Sequence, residues 1–246
     1  MMKPRRIDIL GVPVDCVNMQ EAVAVVEKMV AGDQPRAVIA VNPEKVVKAQ
    51  QDPGLLTQLH SAGLLIPDGI GVVVAARILK SVRMERVPGS ELMPAICARA
   101  AEKGHRIFLF GADPEVNSKT RDIITQRYPG VLIVGNRDGY VTEDDMPSLI
   151  NEINASGTEI LFIALGSPKQ ELWMEKYLDR TNVKVCQGVG GTFDVIAGKV
   201  RRAPLAFRKL HLEWLYRLLS NPRRMLRQTA LPKFMAAVVK YKLSIR

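Results

Sequence analysis

Short apolar runs alternate along this chain with longer stretches in which apolar positions recur at helical spacing. The runs at 7–10, 37–41, 64–66, 106–110, 131–134, 160–165 and 183–187 read as strands. Between them, 19–31 carries Ala22, Val23, Val26, Met29 and Val30 on one helical face. Further helices are predicted over 43–59, 69–79, 91–103, 114–128, 143–155 and 168–178, with Pro43 in a first turn and Gly104 as a stop. Strands of four to six residues alternating with helices of ten or more predict an α/β fold: a Rossmann-like, mainly parallel sheet with helices on both faces.

In such a sheet, ligands bind beyond the carboxyl ends of the strands. The segments there are VNPEK (41–45), PDGIG (67–71), GADPE (111–115), GNRDGY (135–140), GSPKQE (166–171) and GVGGTFD (188–194). Gly, Asn, Asp, Ser and Gln also build ordinary turns, so one such loop says little. Their recurrence after nearly every strand points to a binding rim.

Charge changes the picture near residue 198. Residues 1–198 hold 22 Lys/Arg against 24 Asp/Glu, whereas 199–246 hold 13 Lys/Arg and one acid, Glu213. A near-neutral body (1–198) is therefore followed by a strongly cationic appendage (199–246). The appendage places Leu210, Leu212, Trp214, Leu215, Leu218 and Leu219 among cations at 208, 209, 217, 223, 224 and 227. Basic amphipathic helices of this kind suit an anionic membrane surface, or a helix packed on the body with a solvated basic face. Nucleic acid is the rival partner for such a tail, but it leaves the polar rim without a purpose.

No run reaches the roughly 18 apolar residues of a spanning helix, and the N-terminus lacks the apolar core of a signal peptide. Cys16, Cys97 and Cys186 are far apart in sequence, as expected of reduced thiols rather than a disulfide framework or zinc site.

Among the rim residues, Asp68 follows an apolar strand directly. There it suits a general base toward a hydroxyl, or simply a turn or helix cap. Gln170 offers both donor and acceptor to sugar hydroxyls, and Glu171 suits the start of a helix. Asn42 either caps the next helix or faces the rim. Gly188, Gly190 and Gly191 allow backbone N–H groups to approach an anion, although the spacing is neither G-x-G-x-x-G nor a P-loop. No H-E-x-x-H, G-x-S-x-G or D-x-D motif is present. No metal or cofactor is expected, and a departing diphosphate would need protein cations instead.

Together, VNPEKV (41–46), PDGIGVV (67–73), RVPGSEL (86–92), FLFGADPEV (108–116), GY (139–140), GSPKQE (166–171), GVGGTFDVIAGKVRRAP (188–204) and EWLYRLLSNPRR (213–224) resemble the WecG/TagA/CpsF glycosyltransferase family through most of the chain. The resemblance implies an inverting enzyme on the cytoplasmic face of the bacterial plasma membrane. It would transfer N-acetylmannosamine from a UDP-sugar to undecaprenyl-diphosphate-linked GlcNAc, as in wall teichoic acid linkage-unit synthesis. The uronic-acid sugar or another hexose are alternative donors.

It further implies Asp68 as the base for the acceptor C4 hydroxyl, with Asn42 and Gln170 as pocket residues. Gly190, Gly191, Phe193 and Asp194 would belong to the nucleotide-sugar site, and Arg217, Arg224 and Arg227 would close over the diphosphate. Ala40 stands where some teichoic-acid-type members carry Thr, which leaves the donor sugar open. A homo-oligomer, formed through apolar surface that the tail would cover, is left open as well.

Overall fold

A computed structural model describes residues 4–201, 203–204, 207, 214–216 and 230–244. The chain begins with an antiparallel hairpin, β1 (Arg6–Ile9) and β2 (Val12–Asp15), followed by α1 (Met19–Val30). Next come β3 (Arg36–Val41), α2 (Pro43–Ala49), α3 (Pro53–Ser61), β4 (Leu64–Pro67), α4 (Ile70–Lys80) and α5 (Gly89–Lys103). Then follow β5 (Arg106–Gly111), α6 (Pro114–Arg127), β6 (Leu132–Arg137), α7 (Met146–Ala155), β7 (Ile160–Ala164) and α8 (Lys169–Tyr177). The body ends in β8 (Val185–Gly188) and the short α9 (Thr192–Ile196), and α10 (Ala230–Ser244) lies near the C-terminus.

β3 to β8 form one sheet in the order β4-β3-β8-β7-β5-β6, with every pairing parallel. Its central strand β7, ILFIA, is apolar throughout because both faces are covered. Val38, Leu64, Ile107 and Phe162 pack with α1, α5, α6 and α9 on one face. Ile39, Leu65, Phe108 and Leu161 pack with α2, α3, α4, α7, α8 and α10 on the other. The alternation of neighbouring strand residues between two cores is the period of two expected for β-structure.

Local chemistry starts the helices. Asn18 and Glu21 form a reciprocal capping box at α1. Asp113 accepts from the Val116 N–H at the start of α6, with Pro114 in its first turn.

Three expectations are corrected. The single helix over 43–59 is two, because Asp52 accepts from the Leu55 N–H and Pro53 begins a new first turn. The hairpin partner β2 was not anticipated. Its Asp15 is almost fully buried, bound in a two-pronged ion pair by Arg6 at 2.8 and 2.9 Å while accepting the Leu65 N–H of edge strand β4 at 2.8 Å. Arg6 also donates to the Ala62 carbonyl, so the hairpin shields the sheet's edge. Finally, β6 runs to Arg137 and absorbs half of GNRDGY. Gly135 leaves room for the Phe108 ring, which would lie 2.4 Å from a Cβ there.

Cys16, Cys97 and Cys186 are all free thiols, and burial pushes Cys97 up to about 12. Among the described residues no helix is long and apolar enough to cross a membrane.

Candidate active site

The strand order brings the rim segments into a row. Asp68 leaves β4 beside Asn42, which leaves β3: Val41 and Pro67 are register partners, and the Asp68 N–H donates to the Val41 carbonyl at 2.9 Å. The glycine loop follows β8 at the centre, GSPKQE follows β7, and Asp113 and Tyr140 follow β5 and β6. At the usual strand spacing the row spans roughly 24 Å. β5 leads on to the outer strand β6 whereas β7 leads back to β8, so the crevice between β5 and β7 is a topological switch point.

Asp68 is half-buried. The first residue of α5, Gly89, approaches it with its N–H 3.5 Å from Oδ2, and a Cβ on Gly89 would stand 3.8 Å from the same oxygen. Gln187, buried on β8, donates to the Gly89 carbonyl at 3.4 Å and so ties the start of α5 to the sheet. A carboxylate held at the mouth of the sheet can accept a proton from a bound hydroxyl. Asn42 caps α2, its Oδ1 accepting the Lys45 N–H at 2.8 Å.

Gln170 lies deeper than a surface sugar contact would, 7% exposed. Its Oε1 accepts the Gly190 N–H at 3.0 Å and its Nε2 donates to Glu171 Oε1 at 3.1 Å. Glu171 is equally buried and forms an ion pair with Lys45. Burial alone would raise the Glu171 carboxyl, but the Lys45 charge and hydrogen bonds from Lys45, Ser167 and Gln170 outweigh it and hold the group below the ordinary carboxylate range. The Glu171 backbone is pinned as well, its carbonyl accepting from Gln58 Nε2 at 2.7 Å.

Gly190 takes a left-handed φ of +53°, with open space where a Cβ would stand, so its backbone is approachable from the rim. Phe193 is fully buried and Thr120 donates to its carbonyl, so it anchors the loop from below. Asp194 is half-buried above it. Across the rim, Lys199 pairs with Asp113, and Asp194 and Tyr140 add to the field that holds Lys199 above its ordinary value. The same Lys199 contact, with the Val116 N–H, keeps Asp113 below the usual carboxylate range. Tyr140 is 77% exposed, an unusual position for so large a ring.

The structure thus gathers Asn42, Asp68, Gln170, Gly190, Gly191, Phe193 and Asp194 on one rim. Arg217, Arg224 and Arg227 lie outside the described residues. Among the described residues no group of three acidic, His or Cys side chains is arranged to hold a metal ion. Lys45 and Tyr140 were not singled out from sequence. A lysine abutting Val46 and Val47 in a first turn was the available signal for the first, and the GY pair closing a rim loop for the second.

These features define a doubly wound α/β protein with a polar, glycine-lined site across the carboxyl ends of its strands. Residues 7–246 match the model of the Glycosyl transferase WecG/TagA/CpsF family, and the chain belongs to that family. It is 38% identical over 204 residues to the N-acetylglucosaminyldiphosphoundecaprenol N-acetyl-beta-D-mannosaminyltransferase of Bacillus spizizenii, an alignment covering 83% of this chain and 79% of that protein.

Proposed function

We propose that this protein transfers N-acetylmannosamine from UDP-N-acetylmannosamine to a GlcNAc-diphosphoundecaprenol acceptor, with inversion at the anomeric carbon. The observation that carries the reading is the placement of Asp68 and Asn42 side by side at the β4–β3 end of the rim, next to the helices that α10 covers. In this reading the acceptor hydroxyl lies against Asp68, which takes its proton as the oxygen attacks the anomeric carbon. UDP departs from the opposite face, and a single displacement inverts that carbon.

The donor lies along the rest of the rim. Its sugar and diphosphate sit over the glycine loop, and its base rests near Asp194 with the exposed Tyr140 ring as a stacking surface. Arg217, Arg224 and Arg227 neutralise the departing diphosphate, the work a metal performs in many transferases. α10 supports a membrane-side acceptor. Phe234 and Val238 bury its inner face against α2 and α4, while Val239, Tyr241 and Leu243 are exposed among Lys233, Lys240 and Lys242. In this reading 199–246 is an appendage that both docks on the cytoplasmic face of the membrane and completes the site.

The test is an in vitro transfer assay with a soluble lipid-linked GlcNAc analogue and a panel of UDP-sugars, with mass and anomeric analysis of the product. A β-linked N-acetylmannosaminyl product supports the proposal. Preferential transfer of the uronic acid or another hexose replaces the donor, and no transfer from any UDP-sugar refutes the reading.

A further inference from the structure

We propose that the buried Lys45–Glu171 ion pair is a positioning device that fixes which way round the Gln170 amide sits, and through it the place of Gly190 in the glycine loop. The inference deepens the transferase reading and rests on it, since Gly190 matters there as a wall of the donor site.

An ionised carboxylate only accepts hydrogen bonds, whereas a primary amide has a donor end and an acceptor end. With Glu171 ionised, Gln170 must turn Nε2 toward it, and the 3.1 Å contact has that sense. Oε1 is then the end presented to Gly190, whose N–H it accepts at 3.0 Å. Reversing the amide would set two acceptors against each other at Glu171 and two donors against each other at Gly190. Both hydrogen bonds would be lost, the one to Glu171 in a buried place where water does not replace it.

The carboxylate stays ionised in spite of its burial because Lys45, also buried, faces it. Lys45 is in turn placed by the turn that Asn42 caps. The pair therefore ties together the loops after β3, β7 and β8, which are far apart in sequence. Gly188 completes the fit, since a Cβ there would stand 2.5 Å from Gln170 Nε2. None of these groups needs to touch the reacting atoms. Lys45, Glu171 and Gln170 are positioning residues.

The experiment compares Glu171→Gln, Gln170→Ala and the double variant. An amide at 171 accepts either orientation of Gln170, so the lock is lost with little change in shape. Two readouts are taken: hydrogen exchange of the Gly190 amide by NMR, and steady-state transfer from UDP-N-acetylmannosamine to the lipid-linked GlcNAc analogue. Glu171→Gln is expected to speed Gly190 exchange at least tenfold. It should also lower kcat/KM for the donor by about 10- to 100-fold, as a displaced contact does, with KM for the acceptor within about twofold. Gln170→Ala should give the same losses, and adding Glu171→Gln to it should cost less than about twofold more, because one acts only through the other.

Unchanged Gly190 exchange, or losses that multiply in the double variant, would overturn the proposal. Should Glu171→Gln fail to fold because Lys45 is left buried and alone, Lys45→Met/Glu171→Gln removes both charges and carries the same two readouts. The exchange measurement does not require turnover, so a parent protein inactive with every UDP-sugar would overturn the transferase reading while the amide lock is still decided.

Discussion

Replacing Asp68 by Asn separates chemistry from structure more cleanly than any other change to the rim. The substitution keeps size and shape and exchanges one carboxylate oxygen for an NH2 group. The backbone at 68 is held by the Val41 carbonyl, which the side chain does not affect. The remaining side-chain oxygen can still face the Gly89 N–H, a long contact at 3.5 Å and hence weak in the parent. With the side chain half-buried and its backbone untouched, stability should fall by no more than about 1 kcal/mol, or roughly 2–4 °C in Tm for a chain of this size. Turnover is another matter. An amide cannot take the proton of the attacking hydroxyl, and a positioned base contributes about 10²–10⁴-fold. At about 1.36 kcal/mol per decade, the barrier should rise by roughly 3–5 kcal/mol. The assay is initial-rate transfer from UDP-N-acetylmannosamine, with thermal melting and calorimetric UDP binding on the same preparation. Turnover down a hundredfold or more, with melting and UDP binding intact, supports the base. A variant that melts normally and turns over within tenfold of the parent refutes it.

Other perturbations probe separate parts of the reading. Transfer should survive EDTA, because arginines rather than a metal are assigned to the diphosphate; a strict requirement for added Mg²⁺ would remove that assignment. Phe234→Ala empties a fully buried site between α10 and α4 and should weaken that docking by about 3–5 kcal/mol. Limited proteolysis should then trim the C-terminal helix while the 1–198 body stays resistant, and loss of the whole fold would contradict a separable appendage. Glu171 has its carboxyl lowered from 4.5, so its contribution to stability is complete above that pH and drains away as pH falls through the lower folded value. Denaturant melts of Lys45→Met/Glu171→Gln should show a flatter acid limb below pH 4.5 than the parent; an unchanged limb would show that the pair does not contribute to acid sensitivity.

Much of this architecture was legible because it is local. A strand such as ILFIA declares burial on both faces, and Pro114 after Asp113 declares a helix start, each within a few residues. The break between α2 and α3 was equally local, yet the apolar run Val46, Val47, Ala49, Leu55, Leu56, Leu59 is nearly periodic across it and outweighed the Asp52–Pro53 signal. β2 was missed for a different reason. VPVD is short, contains proline, and ends in an acid whose burial makes sense only once Arg6 and the Leu65 N–H converge on it. The rim loops could be named from their composition and from the family resemblance. What each side chain does there could not, because it depends on partners far along the chain: Lys45 meets Glu171 across 126 positions, and Gln187 meets Gly89 across 98. Gln170 shows the consequence. Its chemistry suits a sugar hydroxyl, and only the fold shows that each end of the amide already makes one bond, to Gly190 and to Glu171.

Under the proposed function one site serves two unlike substrates, and the distribution of groups along the rim bears on how it does so. The acceptor in that reading is tethered to a bilayer, whereas the nucleotide sugar is free in water. In this fold the β4–β3 end carries Asp68 and Asn42, and the helices beside them, α2 and α4, are the ones α10 packs on. The opposite end carries Asp113, Asp194, Lys199 and the exposed Tyr140, with no such cover from α10. Under the proposed function, the strand order separates Asp68 from the nucleotide by the width of several strands and sets Asp68 at the end nearest α10. The acceptor then reaches Asp68 from the lipid side while the donor enters from water, and the two meet over the glycine loop. The Lys45–Glu171 pair joins the loop after β3 to the loop after β7, on either side of the β8 strand that carries the glycine loop. This is why its loss should be felt in the use of the donor even though Lys45 stands on the acceptor's side.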